Sequence, residues 1–243
     1  MNWSAPLKRA ELVARINRYT ASVRVDGRPD YAFVANTGRL QELMIPGEAV
    51  LLRPAANPDR RTVWDLVAVD HGGIWVCIDT GIPNKLTRDG LEKRILPFHG
   101  PFRPEVRFGE HSRVDFRVEP KGTPPLWLEV KSCTLVVKGC AIFPDAPTER
   151  GTRHLHHLTE KVQEGERAGV LFVIQREDGE RFAPNEVTDP VFATAFREAV
   201  EAGVEAHAWA CKITTRGVKF LGPVPVGTTF KESGLRRQDV PCR

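Results

Sequence analysis

The N-terminal third of the chain alternates between apolar and polar residues in short runs. Leu12, Ala14 and Ile16 share one alternating set, residues 21–25 alternate strictly, and this second run ends at an Asp26-Gly27 pair. Strict alternation predicts strands with one buried face, and an Asp-Gly pair after such a run predicts a tight hairpin. Turn-forming residues then separate further strand-like runs at 31–34, 49–52, 64–69 and 74–78. Short strands divided by such turns are typical of a small β-barrel, so we predict an OB-like barrel over residues 1–82.

Helical spacing of apolar residues begins only after residue 82. The elements predicted there are a helix over 84–95, strands over 104–108, 114–118 and 127–132, a helix over 148–167, a strand over 170–174, a helix over 190–202 and a strand over 204–213. Three successive strands predict an antiparallel meander, whereas strand-helix-strand connections predict parallel neighbours. We therefore predict a two-domain protein that is α+β overall. Its second part is an α/β domain with a mixed sheet over residues 83–222, and a loop-like tail follows over 223–243.

Composition narrows the class of protein. With 41% hydrophobic and 27% charged residues, the chain has the balance of a globular protein with a packed core. No run approaches the roughly 18 apolar residues of a membrane span, and the N-terminus lacks a signal-peptide pattern. We therefore expect a cytoplasmic protein without a membrane partner. Scattered cysteines with no Cys-x-x-Cys spacing predict neither a disulfide framework nor a thiolate zinc site.

Two acids stand between apolar neighbours on adjacent predicted strands, and a lysine lies two residues after the second acid. Asp115 lies on the second strand of the meander, and Glu129 and Lys131 lie on the third. Side chains alternate along a strand, so Glu129 and Lys131 share a face, and a hairpin would bring Asp115 beside them. Two close carboxylates repel unless a divalent cation lies between them, which predicts a Mg²⁺ or Mn²⁺ site. With Lys131 orienting an attacking water, these parts fit hydrolysis of a nucleic-acid phosphodiester.

An exposed hairpin with surface ion pairs is the alternative explanation for the same residues. The motif Glu-x-Lys also occurs by chance, since Glu119-Pro120-Lys121 repeats it in a segment whose proline and glycine predict a turn. The copy at Glu129 differs because apolar residues flank it. Glu105, on the first strand of the meander, is expected either to reach the metal or to pair with Arg103 or Arg107.

Basic residues in two regions are candidate phosphate contacts. The net charge of +4 is compatible with nucleic acid as a partner, although many proteins with this charge never bind it. In the second predicted helix, Arg150 and His154 share a flank near the N-terminus, where the helix dipole favours anions. In the barrel, Arg9, Arg15 and Arg18 add positive charge to the first strands. Solvated polar faces are the alternative in both regions, because amphipathic helices and barrel strands expose such residues anyway.

Two resemblances extend this picture. The order of elements over residues 84–213, with acids on the second and third strands, resembles the core of PD-(D/E)xK nucleases. Longer segments resemble the sugar fermentation stimulation protein A family along nearly the whole chain. These segments are NTGRL at 36–40, IPG at 45–47, PEVRFG at 104–109, SRVDF at 112–116, EVKS at 129–132 with TL at 134–135, FPDAPTERG at 143–151 and HL at 154–155. The family resemblance leads us to expect proline at position 35, but this chain has Ala35 there. This difference does not involve the residues of the proposed site.

The family resemblance implies an N-terminal OB-type domain, a C-terminal nuclease-like domain, non-specific DNA binding and a regulatory link to sugar metabolism. It places the nuclease site at Asp115, Glu129 and Lys131, with Glu105 and Arg113 beside it. Our leading hypothesis is a DNA-binding protein with a metal-dependent nuclease site. The alternatives are a non-enzymatic DNA-binding transcriptional regulator of sugar (maltose) metabolism and a regulator whose barrel binds carbohydrate. The sequence leaves the oligomeric state open, a homodimer included.

Overall fold

Five strands of the N-terminal part close into a barrel, and a sixth extends the sheet. In chain order these strands are β1 (Lys8–Asn17), β2 (Thr20–Val25), β3 (Arg28–Val34), β4 (Ala49–Pro54), β5 (Trp64–His71) and β6 (Ile74–Cys77). The sheet order is β3-β2-β1-β4-β5-β6, and a parallel pairing of β3 with β5 closes the ring. The OB-like barrel is thus confirmed in this computed structural model, which describes residues 1–57, 59–108 and 112–230.

The alternating pattern explains the interior of the barrel. In β2 and β3 alternate residues turn inward, and Ala21, Val23 and Ala32 have no exposed surface. The two strands are joined at Asp26 and Gly27, whose φ angles of 48° and 78° suit a type I′ hairpin turn. The residues between these inward-facing positions consequently face outward from the barrel.

The C-terminal part is a mixed sheet with helices packed on it. Its elements are α1 (Ile82–Glu92), β7 (Phe102–Phe108), β8 (Ser112–Val118), β9 (Leu126–Cys133), β10 (Val136–Val137), β11 (Cys140–Phe143), α2 (Glu149–Gln163), β12 (Arg167–Ile174), β13 (Arg181–Pro184), α3 (Pro190–Glu201), β14 (Glu205–Ile213) and β15 (Val218–Val224). The larger sheet has the order β15-β14-β12-β9-β8-β7, and β10, β11 and β13 form a small separate sheet. β7, β8 and β9 are antiparallel, whereas β9, β12 and β14 run parallel. The predicted meander and mixed sheet are confirmed.

The predicted helices are present with shifts at their ends. α1 ends at Glu92 and not at 95, and α2 ends at Gln163 and not at 167. The second shift arises because Gly165, with a φ of 84°, ends the helix and turns the chain into β12. No helix in the described part of the chain is long and apolar enough to cross a bilayer.

The sequence prediction omits several strands. β10, β11 and β13 contain two to four residues each, and such short runs show no clear periodicity. β15 is also missing from the prediction, because Gly222 and Pro223 favour a loop. Proline is tolerated in this strand because β15 lies at the edge of its sheet. The tail predicted from residue 223 therefore starts inside a strand, and its residues 231–243 lie outside the described part.

A shared apolar core joins the barrel to the C-terminal sheet. Leu51 and Val67 of the barrel pack in one cluster with Leu86 of α1, and all three are almost fully buried. The chain start contributes as well, since the backbone N–H of Leu7 donates to the carbonyl of Thr215 at 2.7 Å. The barrel and the C-terminal sheet therefore share one buried core.

Candidate active site

Asp115 and Glu129 lie on neighbouring strands, β8 and β9, of the larger sheet. The antiparallel register of these strands brings the two residues side by side. The carboxylate of Asp115 accepts hydrogen bonds from the backbone N–H of Val130 and from Nδ2 of Asn84, both at 2.7 Å. One oxygen of Asp115 is thus fixed to β9 and the other to α1.

Glu129 is buried between Lys131 and His154. Its Oε1 accepts a hydrogen bond from Nζ of Lys131 at 2.6 Å and also contacts Nδ1 of His154. The Nζ of Lys131 lies 3.2 Å from the same ring nitrogen. Only 6% of the Glu129 side chain is exposed, and a buried charge is stable only when it is paired and hydrogen-bonded. Lys131 and His154 therefore hold this carboxylate in place.

The two carboxylates differ in their affinity for a proton. Burial and the nearby charge of Glu129 raise the pKa of Asp115 to about 6. Burial would raise the pKa of Glu129 as well, but the hydrogen bond with His154 and the charge of Lys131 bring it below its ordinary value. Like charges that share one site produce such a difference. A cation between the two groups would relieve their repulsion.

A cavity of about 1090 Å³ adjoins this cluster. Acidic, basic and amide side chains line it: Asn84, Glu105, Arg107, Ser112, Arg113, Asp115, Arg150, Arg153, His154 and His157. Glu129 and Lys131 are buried next to His154 and are not part of the lining. The structure therefore brings the three predicted central residues together, with Asp115 facing the cavity and the Glu129–Lys131 pair adjoining it.

The first turns of α2 bring Arg150 and His154 to the cavity. Thr148 caps the helix as predicted, because its Oγ1 accepts a hydrogen bond from the backbone N–H of Gly151 at 3.0 Å. A Cβ atom at Gly151 would lie 2.7 Å from Thr148 and 3.3 Å from Phe192 of α3, so the close helix packing explains this glycine. The Nε of Arg150 donates to Nε2 of His154 at 3.4 Å. With its proton on Nδ1, the ring of His154 accepts from Arg150 and donates to the buried carboxylate.

His157 braces the end of the β7–β8 hairpin. Its Nδ1 lies 3.2 Å from Oγ of Ser112, whose hydroxyl donates to the carbonyl of Phe108. The imidazole also packs edge-on against the ring of Phe108, with centroids 5.6 Å apart. These contacts tie α2 to the hairpin on which Arg107 and Arg113 stand directly opposite each other.

Glu105 lies in the same cavity and faces solvent. The register of β7 and β8 places it opposite Asp115 across the hairpin. Its φ of 52° is a left-handed conformation that residues other than glycine seldom adopt. Arg103, one of the predicted partners of Glu105, instead pairs with Glu119 at 2.8 Å.

The carboxylates fit an open site for a divalent cation. Mg²⁺ is commonly bound through one or two carboxylates, and water and substrate oxygens complete its coordination. Among the described residues, no group of three or more His, Cys, Asp or Glu side chains is placed to hold an ion. Glu105 therefore does not complete a cage with the other two acids. The charge of Glu129 helps to raise the pKa of Asp115. A cation bound beside both carboxylates would offset this repulsion between them.

The barrel arginines do not form one phosphate-binding patch. Arg9 and Arg18 are exposed near opposite ends of β1, and Arg9 lies 5.9 Å from the ring centroid of Trp75. The guanidinium of Arg15 donates hydrogen bonds of 2.7 to 3.0 Å to the carbonyls of Arg18 and of the loop 36–39. These donors hold the loop, which argues against Arg15 as a phosphate contact.

Sequence reasoning does not single out Asn84, Ser112 or Arg153. Asn84 lies 31 positions before Asp115, and no spacing rule connects a helix residue with a strand residue at that distance. Ser112 lines the cavity and contacts His157 of α2 across 45 positions of sequence. Arg153 stands three positions after Arg150 on α2, a spacing that places both on one helix face and would have indicated it.

Two family models match this chain. One, described as the sugar fermentation stimulation protein RE domain, matches residues 81–217. The other, described as the SfsA N-terminal OB domain, matches residues 13–78. The chain belongs to the sugar fermentation stimulation protein family. The family resemblance seen in the sequence segments is therefore confirmed.

Members of the sugar fermentation stimulation protein family resemble this chain over almost their whole length. The homolog from Moorella thermoacetica is 45% identical over 227 residues, which cover 91% of this chain and 97% of that protein. The homolog from Chloroflexus aggregans is 42% identical over 238 residues, covering 96% of this chain and 91% of that protein. The solved structure of Pyrococcus furiosus SfsA in complex with Ca²⁺ matches with a TM-score of 0.85 at 31% identity, covering 93% of this chain and 98% of that chain. This match confirms the fold described above.

Proposed function

We propose that this member of the sugar fermentation stimulation protein family is a divalent-metal-dependent nuclease that binds DNA without sequence specificity. The observation that carries the proposal is the convergence of Asp115, Glu129 and Lys131 beside one arginine-lined cavity. Buried ionised groups contribute little to the stability of a fold, so their grouping here favours a chemical role. The Pyrococcus furiosus relative was solved in complex with Ca²⁺, which supports a divalent ion, and we propose Mg²⁺ or Mn²⁺ for this chain.

Asp115 and Glu129 are the proposed metal ligands, and Glu105 is a further oxygen donor in the same cavity. When bound, the ion supplies stabilisation of the negative charge that develops on the phosphodiester oxygens. Asn84 and the backbone N–H of Val130 keep the Asp115 carboxylate oriented. Such preorganisation lowers the reorganisation needed during reaction.

Lys131 is the residue proposed to orient the attacking water. An ammonium group has three donors, and the hydrogen bond to Glu129 at 2.6 Å uses one of them. A remaining donor can hold the water, and the positive charge favours loss of its proton. His154 was predicted to contact phosphate, but both of its ring nitrogens lie against protein groups. We therefore propose that His154 positions Glu129 and Lys131.

Arg113 and Arg150 are the proposed phosphate contacts in the cavity. Both line the cavity together with Arg107 and Arg153, so a phosphate bound there would lie among several guanidinium groups. A guanidinium group also matches the geometry of a phosphate, to which it can donate two parallel hydrogen bonds.

A non-enzymatic DNA-binding regulator of sugar (maltose) metabolism is the second candidate function. It is favoured by the pairing of Glu129 with both Lys131 and His154. Within the described ranges there is also no three-ligand group for an ion. For such a regulator, the arginine-lined cavity would be a DNA-binding surface without nuclease activity.

Incubation of the purified full chain with supercoiled, linear and single-stranded DNA tests the proposal. We expect cutting in Mn²⁺ or Mg²⁺ that a chelator abolishes. Glu129→Gln should remove cutting but keep retention of DNA in a gel. Glu119→Gln is the matched control, since it alters the other Glu-x-Lys copy, outside the cavity lining, and should cut like wild type. If wild type binds DNA and never cuts with either metal, the regulator function replaces the nuclease.

A further inference from the structure

Exposed aromatic rings cluster on the outer face of β3 and the adjoining turn. Tyr31 and Phe33 are two residues apart on β3, so they point the same way at a spacing of about 6.6 Å. Tyr19, between β1 and β2, stacks on Phe33 with ring centroids 6.3 Å apart and planes at 11°. Tyr19 is 48% exposed and Tyr31 is 54% exposed. These three residues, which we call the aromatic face, offer flat apolar surface to solvent.

Two loops of the barrel converge on this aromatic face. Arg60, from the β4–β5 loop, lies over the ring of Phe33 at 4.9 Å. Hydrogen bonds to Asp65 at 2.8 Å and to Thr62 at 3.0 Å keep its guanidinium there. Tyr19 comes from the β1–β2 turn. In OB folds the β2–β3 face and these two loops form the surface that binds oligonucleotides or oligosaccharides.

Exposed arginines flank the aromatic face. Arg18 precedes Tyr19, Arg28 begins β3, and Arg61 lies in the β4–β5 loop. Among the described residues these three arginines form no ion pair. The acid that lies next to Tyr31, Asp30, already accepts hydrogen bonds from Trp64 Nε1 at 2.9 Å and from the backbone N–H of Tyr31. The surface thus combines stacking rings with exposed positive charge, and Asp30 is the one acid on β3.

We propose that the aromatic face binds single-stranded nucleic acid, with bases stacked on Tyr19 and Tyr31 and phosphates held by the flanking arginines. Stacking on aromatic side chains tolerates any base sequence, because every base has a π face. Bases inside a duplex are already stacked and paired, so unpaired strands fit this surface. A neutral oligosaccharide could stack on the same rings, but it carries no charge for the arginines. The inference rests on the proposed nuclease function and deepens it, since it names unpaired strands as the substrate class.

Fluorescence anisotropy of a labelled oligo-dT, about 16 nucleotides long to span one OB fold, tests this inference on the full chain. A chelator in the buffer separates binding from cutting. Tyr19→Ala and Tyr31→Ala should each weaken binding roughly tenfold, and a duplex of equal length should bind more weakly than the single strand. Tyr19→Phe and Tyr31→Phe should bind like wild type, because the rings remain. Val191→Ala, which trims a 65% exposed side chain on α3, is the matched control and should have no effect.

A second variant keeps the test independent of stacking. Arg18→Ala should lower the salt dependence of oligo-dT binding by a slope of about one, as loss of one phosphate contact requires. Unchanged oligo-dT affinity in the double variant Y19A/Y31A overturns the inference. Displacement of oligo-dT by a maltooligosaccharide also overturns it and assigns the face to sugar. Either result leaves the nuclease proposal standing if wild type still cuts DNA in Mn²⁺.

Discussion

The Nζ of Lys131 lies 2.6 Å from the Oε1 of Glu129, two positions earlier on the same strand. Strand alternation places both side chains on one face of β9. Because the carboxylate is almost fully buried, the ammonium group is both its counter-charge and a donor beside the cavity. One residue can thus stabilise the site and take part in its chemistry.

Replacing Lys131 should affect catalysis far more than replacing the lysine of the other Glu-x-Lys copy. Lys131→Met should lower the rate of plasmid nicking roughly 100-fold or more, as loss of a preorganised donor does in other active sites. Lys121→Met, at an exposed position in the β8–β9 turn, should leave the rate unchanged. Initial rates in Mn²⁺ measure both variants, and similar rates for the two would contradict the role assigned to Lys131.

His154 should behave as a positioning residue and not as a phosphate contact. His154→Gln should lower kcat because it loosens Glu129, while DNA affinity and its salt dependence stay as in wild type. Arg150→Ala should instead reduce the slope of affinity against salt by about one. Rate assays and salt-titrated retention assays separate the two residues. A reduced slope in His154→Gln would restore the phosphate contact predicted from the sequence.

The acid stability of the sheet should depend on Glu205 of β14. Its contacts with His207 at 3.7 Å and with Arg167 at 2.7 Å lower its pKa to about 2 from an ordinary value of 4.5. A folded-state pKa below the unfolded value means that the stabilisation is present above about pH 4.5 and is lost as the pH falls toward 2. Glu205→Gln should therefore unfold at lower urea than wild type at neutral pH. Urea denaturation across this pH range should show the difference disappear, and a constant difference would contradict the ion pair.

The barrel and the C-terminal sheet should unfold together. Leu51 has no exposed surface in the core that both parts share, and Leu→Ala at such a site costs about 2–5 kcal/mol. Leu51→Ala should lower the midpoint of one cooperative transition seen by tryptophan fluorescence and by circular dichroism. Two separate transitions, with only the barrel destabilised, would show that the shared core does not couple them.

The centre of the site could be predicted from the sequence because strands have a regular periodicity. The placement of Asp115 beside Glu129 and Lys131 follows from alternation along two strands and from the meander that pairs them. The barrel, the mixed sheet and the cap at Thr148 follow from equally local patterns. Such features depend on neighbours in the chain, which the sequence contains.

Contacts between distant elements are what the sequence does not predict. Asn84 reaches Asp115 only because α1 packs against β9. Helical spacing puts His154 on a polar flank of α2, yet the packing of α2 on β9 buries it against Glu129. The sequence predicts that Arg15 is an exposed basic residue. In the structure the loop 36–39 packs against Arg15, and its carbonyls accept hydrogen bonds from the guanidinium group. In each case tertiary packing decides the role of the side chain.

The location of a bound ion tests most directly whether Asp115 and Glu129 form a metal site beside Lys131. Crystals of the protein soaked in Mn²⁺ would show the ion as a peak in anomalous difference density. We expect a peak within coordination distance of both carboxylates in wild type, and its loss in Asp115→Asn. A peak elsewhere, or no peak at a Mn²⁺ concentration that supports DNA cutting, would contradict the account.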